Sequence, residues 1–236
     1  MPATLSIVIP VFNERGTWRE LLARVEAVDL GPVGRQVILV DDCSTDGTRE
    51  QLQAFAAERP DATVRFHEVN RGKGAALRTG FAAATGDFVV VQDADLEYDP
   101  NDFPALLEPL LAGRADVVYG SRFLNRPREK GYLRNYLANR FLTWLSNLTT
   151  GLKLTDMETC YKMFRREVLA GIGLEQDRFG FEPEITAKLA AAGARVVEVP
   201  ISYAPRSSEE GKKIGLSDGL EAIGCIFKYR PRRRGR

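Results

Sequence analysis

Histidine is almost missing from this chain: His67 is the only one in 236 residues, and the three cysteines, Cys43, Cys160 and Cys225, lie far apart. That scarcity excludes a disulfide framework, a His/Cys zinc site and a hydrolase built on a Ser–His or Cys–His pair. His67 falls within a strand-like run and reads as a structural residue. No unbroken apolar run approaches the roughly 20 residues needed to cross a bilayer. The first apolar segment, Leu5–Val11, is too short for a secretory signal and stops at Asn13-Glu14, so no signal peptide is expected. A reducing cytoplasm is the expected compartment.

An excess of either charge is also lacking, since the net charge is +1. Yet Lys228, Arg230, Arg232, Arg233, Arg234 and Arg236 place six of the 33 cations in one stretch without an acid. The other 227 residues hold 27 cations against 32 acids and carry −5. A nucleic-acid-binding face would spread its cations over the folded surface, so no nucleic-acid partner is expected. A basic tail on an acidic body suits attachment to an anionic membrane, at about 1 kcal/mol per cation near the surface. A merely solubilising tail is the alternative.

Hydrophobic residues make up 44% of the chain, enough for a substantial core. Apolar runs at Leu5–Pro10, Gln36–Asp41, Val64–Val69, Phe88–Gln92 and Val117–Tyr119 read as strands. Helical patterns fit near 16–29, 47–59, 74–84 and 102–113, the second opened by Ser44 or Thr45 as N-cap. This alternation predicts an α/β fold with a mostly parallel sheet and helices on both faces. Beyond it come a helix near 132–149, a strand at 160–165, a helix at 182–193, a strand at 195–200, a polar loop at 205–215 and a last helix.

Ligands of such sheets gather at the carboxyl ends of strands, and polar residues follow each predicted strand here. Asp93-Ala94-Asp95 closes the fourth, with alternation putting both carboxylates on one side and Glu97 two residues on. Carboxylates of this kind suit Mg2+ or Mn2+, although acidic pairs after strands also simply cap helices. Asp41 and Asp42 close the second strand, where carboxylates can accept from a nucleobase or ribose; Ser44 and Asp46 can equally serve the turn. Asn70-Arg71-Gly72-Lys73-Gly74 opens a helix with two glycines and two cations, a candidate diphosphate cradle. A dinucleotide fingerprint would require glycine at position 77, which is Leu77.

In order along the chain, Pro10-Val11-Phe12-Asn13-Glu14, the run Asp41 to Thr48, and Asp93-Ala94-Asp95-Leu96 resemble the motifs of glycosyltransferase family 2. Gly120-Ser121-Arg122, the run Asp156 to Phe164, and Arg178-Phe179-Gly180-Phe181-Glu182 look like its polyprenyl-phosphate (dolichyl-phosphate-type) mannosyl- and glucosyltransferase group. The resemblance implies a GT-A fold over 1–227. A Rossmann-like nucleotide-sugar half would occupy about 1–120 and an acceptor half 121–227, followed by the basic tail 228–236. It implies Pro10, Asn13, Glu14, Asp41 and Asp42 around the nucleotide of a nucleotide-sugar donor, joined by Lys73 and Asp93. It also implies Asp93, Asp95 and Glu97 around Mg2+ or Mn2+, and Arg122 and Arg134 on a polyprenyl-phosphate acceptor. Lys212 and Lys213 would close over the donor diphosphate. Catalysis would then fall to Asp95, Arg122 and Arg134. Two departures stand out: Cys43 replaces a usual glycine, and Glu97 a frequent glutamine.

A lipid phosphate is already charged at neutral pH, so this reaction needs no general base, and a one-step displacement inverts the anomeric centre. UDP-glucose is favoured over GDP-mannose from the segments at 160–162 and 178–182. A soluble or glycan hydroxyl acceptor would instead need a base, Asp156 or Glu158. A non-catalytic nucleotide-sugar-binding module is a third reading. The Gln-x-x-Arg-Trp signature of processive synthases is absent.

Tyr132, Leu133, Tyr136, Leu137, Phe141, Trp144, Leu145 and Leu148 recur at helical spacing beside Arg134 and Arg140. Such a helix suits the membrane interface, the alternative being a helix packed on the sheet. In the last helix Leu216, Leu220, Ile223 and Phe227 form one stripe, expected to face the core. Peripheral attachment to the cytoplasmic face of a membrane follows.

Overall fold

The computed structural model describes residues 2–124, 133–205 and 216–231. Seven strands form one sheet: β1 (Thr4–Val11), β2 (Gly34–Asp41), β3 (Thr63–Phe66), β4 (Phe88–Val91), β5 (Val117–Ser121), β6 (Lys162–Arg165) and β7 (Val196–Pro200). Their order is β3-β2-β1-β4-β6-β5-β7. All pairings are parallel except those of β6, which runs antiparallel to both neighbours.

The reason for this layout is visible in the strands themselves. Phe88–Val91 and Val117–Ser121 are buried at every position, as strands covered on both faces must be. Helices α1 (Trp18–Ala27), α2 (Thr48–Glu58), α3 (Lys73–Ala83) and α4 (Phe103–Leu111) supply that cover through the first half. In the second half come α5 (Leu133–Thr150), α6 (Arg166–Ala170), α7 (Phe181–Ala191) and α8 (Leu216–Lys228). Helix α3 lies so close to the sheet that a Cβ on Gly80 would collide with the Val8 side chain.

Several boundaries differ from the sequence reading. The third strand stops at Phe66 rather than Val69, so His67 follows the strand. The fourth stops at Val91, and Asp93 and Asp95 therefore sit in a turn, beyond the reach of strand alternation. Helix α2 is capped by Gly47 at φ 97°, not by Ser44 or Thr45.

The largest correction concerns α8. Leu220 is 71% exposed and Phe227 47%, while Ala222, Cys225 and Ile226 are buried. This helix has apolar residues on two sides, and its smaller ones were taken by the packing against α5 and α7. Helix α5 splits likewise: Leu142 and Leu145 are buried, whereas Leu137, Phe141, Trp144 and Leu148 are exposed. No helix among the described residues is long and apolar enough to cross a membrane.

Candidate active site

The loops after β1 and β2 are stitched to one another. The Asn13 amide donates to Ser44 Oγ (3.0 Å), and Asn13 Oδ1 accepts from the Thr45 amide (2.8 Å). The Glu14 amide donates to Thr48 Oγ1, and Asp46 accepts from Arg15 and Thr48, so Asp46 satisfies the turn. Asp41 is fully buried, accepting from the Ser44 amide (3.2 Å) and Arg49 Nη1 (3.1 Å). Asp42 accepts from the amides of Arg71 (2.9 Å) and Gly72 (2.7 Å) and pairs with His67 Nδ1 (2.7 Å). His67 Nε2 meets Thr79 Oγ1 at 2.8 Å, so both ring nitrogens are partnered within the protein. Both aspartates thus brace the rim on which Pro10, Asn13 and Glu14 stand.

Among the described residues, three non-glycine residues adopt positive φ: Asn13 (57°), Cys43 (62°) and Leu96 (63°). Each follows one of the central strands β1, β2 or β4. Left-handed backbone costs a residue with a Cβ roughly 1–2 kcal/mol, and such strain collects at functional sites. At position 43 the geometry explains why a glycine is usual there: the turn keeps its shape, and Cys43 bears the strain.

Lys73 opens α3 and reaches across to Asp93 (2.9 Å) and Glu182 (3.2 Å). Burial works against its charge, yet Asp93 and Glu182 hold its pKa well above the ordinary lysine value. The two glycines beside it have a different purpose from the one expected. A Cβ on Gly72 would meet the Asp177 carbonyl oxygen at 2.5 Å, and one on Gly74 would strike that of Gln176. The backbone at 176–178 occupies that side, and the glycines admit it.

In the turn after β4, Asp95 Oδ1 accepts from the Glu97 amide (3.1 Å) and Glu97 Oε2 accepts from the Tyr203 hydroxyl (2.8 Å). The three expected metal ligands do not gather into a ready-made cluster: no group of three His, Cys, Asp or Glu side chains suited to a metal occurs among the described residues. Their chemistry still fits Mg2+ or Mn2+, which is commonly bound through one or two carboxylates completed by substrate phosphates.

On the acceptor side, Arg122 forms a two-pronged pair with fully buried Asp156, Nε and Nη2 each 2.7 Å from a carboxylate oxygen. The Arg122 amide donates to Asp156 Oδ2 as well (3.0 Å). Burial opposes the guanidinium charge, but Asp156 raises its pKa further above the usual range. Five guanidinium N–H donors exceed the two turned toward Asp156. Tyr203 lies under the guanidinium, 5.1 Å from Cζ to ring centroid, and so links Arg122 to Glu97. Sequence reasoning missed Tyr203, whose only local signal is its place just before the polar loop. Asp156, with both oxygens engaged and no exposure, is not placed to take a proton from a soluble hydroxyl.

Between these groups runs β6. Lys162 is fully buried, its amine donating to the Thr159 carbonyl and lying 4.8 Å from the Tyr119 ring centroid. Burial lowers its pKa, against the opposing pull of Glu182 and Glu158. Burial, with Glu182 nearby, pushes the Glu158 carboxyl up to about 8. Arg134 lies on α5, but its side chain is outside the described residues, as are Lys212 and Lys213.

The sequence profile described as Glycosyl transferase family 2 matches residues 6–173. The chain is similar to an undecaprenyl-phosphate mannosyltransferase of Micrococcus luteus, 33% identical over 233 residues, which is 94% of this chain and 92% of that protein. It is 31% identical over 232 residues to a dolichol-phosphate mannosyltransferase of Pyrococcus furiosus, spanning 95% of this chain and 61% of that relative. Among solved structures, glucosyl-3-phosphoglycerate synthase of Mycobacterium tuberculosis in complex with Mg2+ and UDP superimposes with a TM-score of 0.72 at 23% identity. That match covers 97% of this chain and 79% of the other. At that identity the likeness speaks for the GT-A fold.

Proposed function

The chain belongs to glycosyltransferase family 2, among relatives that act on polyprenyl phosphates, and we propose that it transfers a hexose with inversion from a nucleotide-sugar to a polyprenyl phosphate. UDP-glucose is the favoured donor, ahead of GDP-mannose. One observation carries this reading: Lys73, held by Asp93, and Arg122, held by Asp156, present two separate cations, one for each phosphate-bearing substrate.

In this mechanism Lys73 draws the donor diphosphate toward Asp93, while Pro10, Asn13, Glu14, Asp41 and Asp42 frame the nucleotide. Asp93, Asp95 and Glu97 would hold Mg2+ or Mn2+, which when bound neutralises charge on the diphosphate. Arg122, steadied by Asp156 and Tyr203, holds the acceptor phosphate together with Arg134, and Lys212 and Lys213 close over the donor diphosphate. The acceptor oxygen is charged before it arrives, so orientation and charge complementarity supply the catalysis.

The exposed faces of α5 and α8 fit the lipid side of this reaction. Leu137, Phe141, Trp144 and Leu148 stand out on α5, and Leu220 and Phe227 on the helix packed beside it. In sequence, α8 runs into the six cations from Lys228 to Arg236. An apolar face on a chain with such a basic stretch matches an anionic leaflet, with the chain lying on the cytoplasmic surface.

The test is transfer of labelled glucose or mannose from UDP-glucose or GDP-mannose to undecaprenyl phosphate in the presence of Mn2+, with Asp95→Ala in parallel. The expected outcome is a glycolipid product from one donor and a loss of about a thousandfold in the variant. No product from either donor refutes the acceptor, and full turnover of Asp95→Ala after chelation refutes the metal role.

A further inference from the structure

Three buried oxygens in the middle of the site have nothing to bond. Glu158 Oε1, Thr159 Oγ1 and Glu182 Oε2 are enclosed and lack a hydrogen-bond partner among the described residues. Thr159 is fully buried and Glu182 is 4% exposed. They share one locality: Lys162, whose amine holds the Thr159 carbonyl, feels the charges of both Glu158 and Glu182. A buried oxygen left without a partner is costly, so three together mark a place shaped for something polar.

Position says what that is. Glu182 gives its other oxygen to Lys73, the cation on the donor side. Glu158 feels Arg122 and Asp156 on the acceptor side. In a displacement at an anomeric carbon, the group lying between the departing diphosphate and the arriving phosphate is the sugar in transit. We propose that Glu158, Thr159 and Glu182 form the subsite that grips the hydroxyls of the transferred hexose. This deepens the proposed transfer reaction and rests on it for the identity of the two flanking phosphates.

The chemistry is complementary. A sugar hydroxyl donates to Glu182 Oε2, and Thr159 Oγ1 both donates and accepts. With its carboxyl titrating near 8, Glu158 keeps a proton at neutral pH and donates to a sugar oxygen. Such a subsite also selects: a pocket built to bond a hydroxyl rejects an analogue lacking it by up to about 10⁴–10⁵-fold. The donor it takes therefore carries free ring hydroxyls on the side facing β6.

The experiment compares the binding of a sugar nucleotide with that of its bare nucleoside diphosphate. Wild type, Glu158→Leu and Thr159→Val are titrated by calorimetry with UDP-glucose, GDP-mannose, UDP and GDP in the presence of Mn2+. For the donor that wild type prefers, both variants are expected to lose tenfold or more in sugar-nucleotide affinity, about 1.4 kcal/mol, with nucleoside diphosphate affinity kept within twofold. Equal losses for both ligands, or no loss, overturn the proposal. So does a fall in kcat at unchanged donor affinity, which would make Glu158 a base for a hydroxyl acceptor. Should the variants not fold, monodeoxy donor analogues on wild type replace them: at least one position must lower kcat/KM about a hundredfold, and uniform tolerance refutes the subsite. A wild type that discriminates sugar nucleotide from nucleoside diphosphate, but makes no glycolipid, fails the proposed acceptor and leaves the subsite standing.

Discussion

The two halves of the molecule meet their polar and apolar obligations in opposite ways. In the first half, Asp41, Asp42, Asn13 and His67 are bonded to the protein's own backbone and side chains, so the donor rim is stiff before any ligand arrives. In the second, buried oxygens at 158, 159 and 182 lack partners while Trp144, Leu148 and Leu220 face outward.

The Arg122–Asp156 pair is a strongly self-satisfied exception in the second half. Asp156→Ala strands a buried guanidinium and should cost about 3–5 kcal/mol in denaturant unfolding. Loss below 1 kcal/mol would show the pair to be far better hydrated than its burial implies. Because the penalty runs both ways, Arg122→Ala would confound acceptor binding with stability, and Arg122→Lys is the cleaner probe.

The outward apolar face can be broken next. Trp144→Glu and Phe227→Glu each remove an apolar anchor worth about 1.5–3 kcal/mol when fully buried. Each should weaken cosedimentation with phosphatidylglycerol vesicles about tenfold or more, leaving the melting temperature unchanged. Equal sedimentation of wild type and both variants would detach this face from the membrane.

A third prediction concerns pH. The folded protein holds a proton on Glu158 up to about pH 8, whereas the unfolded chain releases it near 4.5. Between those values the native state binds more protons, so this group's contribution to stability falls as pH rises. Glu158→Gln mimics the protonated form. Relative to wild type it should gain about 1 kcal/mol or more on going from pH 5 to pH 8.5, the worth of one pKa unit. A pH-independent difference would mean that burial and the neighbouring Glu182 and Asp156 charges do not raise the Glu158 carboxyl above its ordinary value against the pull of Lys162 and Arg122.

The smallest effect lies on the stiff side: Cys43→Gly removes the left-handed penalty at φ 62° and should change stability by no more than about 1 kcal/mol. A large loss in urea unfolding would assign that stability to the contact of Cys43 Sγ with the Glu68 carbonyl (3.5 Å).

Local pattern made the donor half legible. Runs such as Phe88–Val91 are apolar throughout because both faces are covered, and the polar residues that follow them are where such sheets place ligands. Exact strand ends were harder: the third strand stops at Phe66 although the His67 amide still donates to the Asp41 carbonyl, and the fourth stops at Val91. The acceptor half resisted because its features depend on distant segments meeting. Nothing near Lys162 says that β6 runs antiparallel between β4 and β5, or that its lysine lies in the core. Glu158 and Glu182 become neighbours only through that fold. On α8, two apolar sides competed: Ala222, Cys225 and Ile226 went inward with Ile223 at their edge, while Leu220 and Phe227 stayed out.

The reversed strand has a consequence for biosynthesis. Until residues 162–165 emerge from the ribosome, β4 and β5 lack the segment that lies between them, and each leaves an edge of residues destined for burial open to any strand nearby. A nascent chain arrested before that point should therefore be the form most prone to aggregate or to recruit a chaperone.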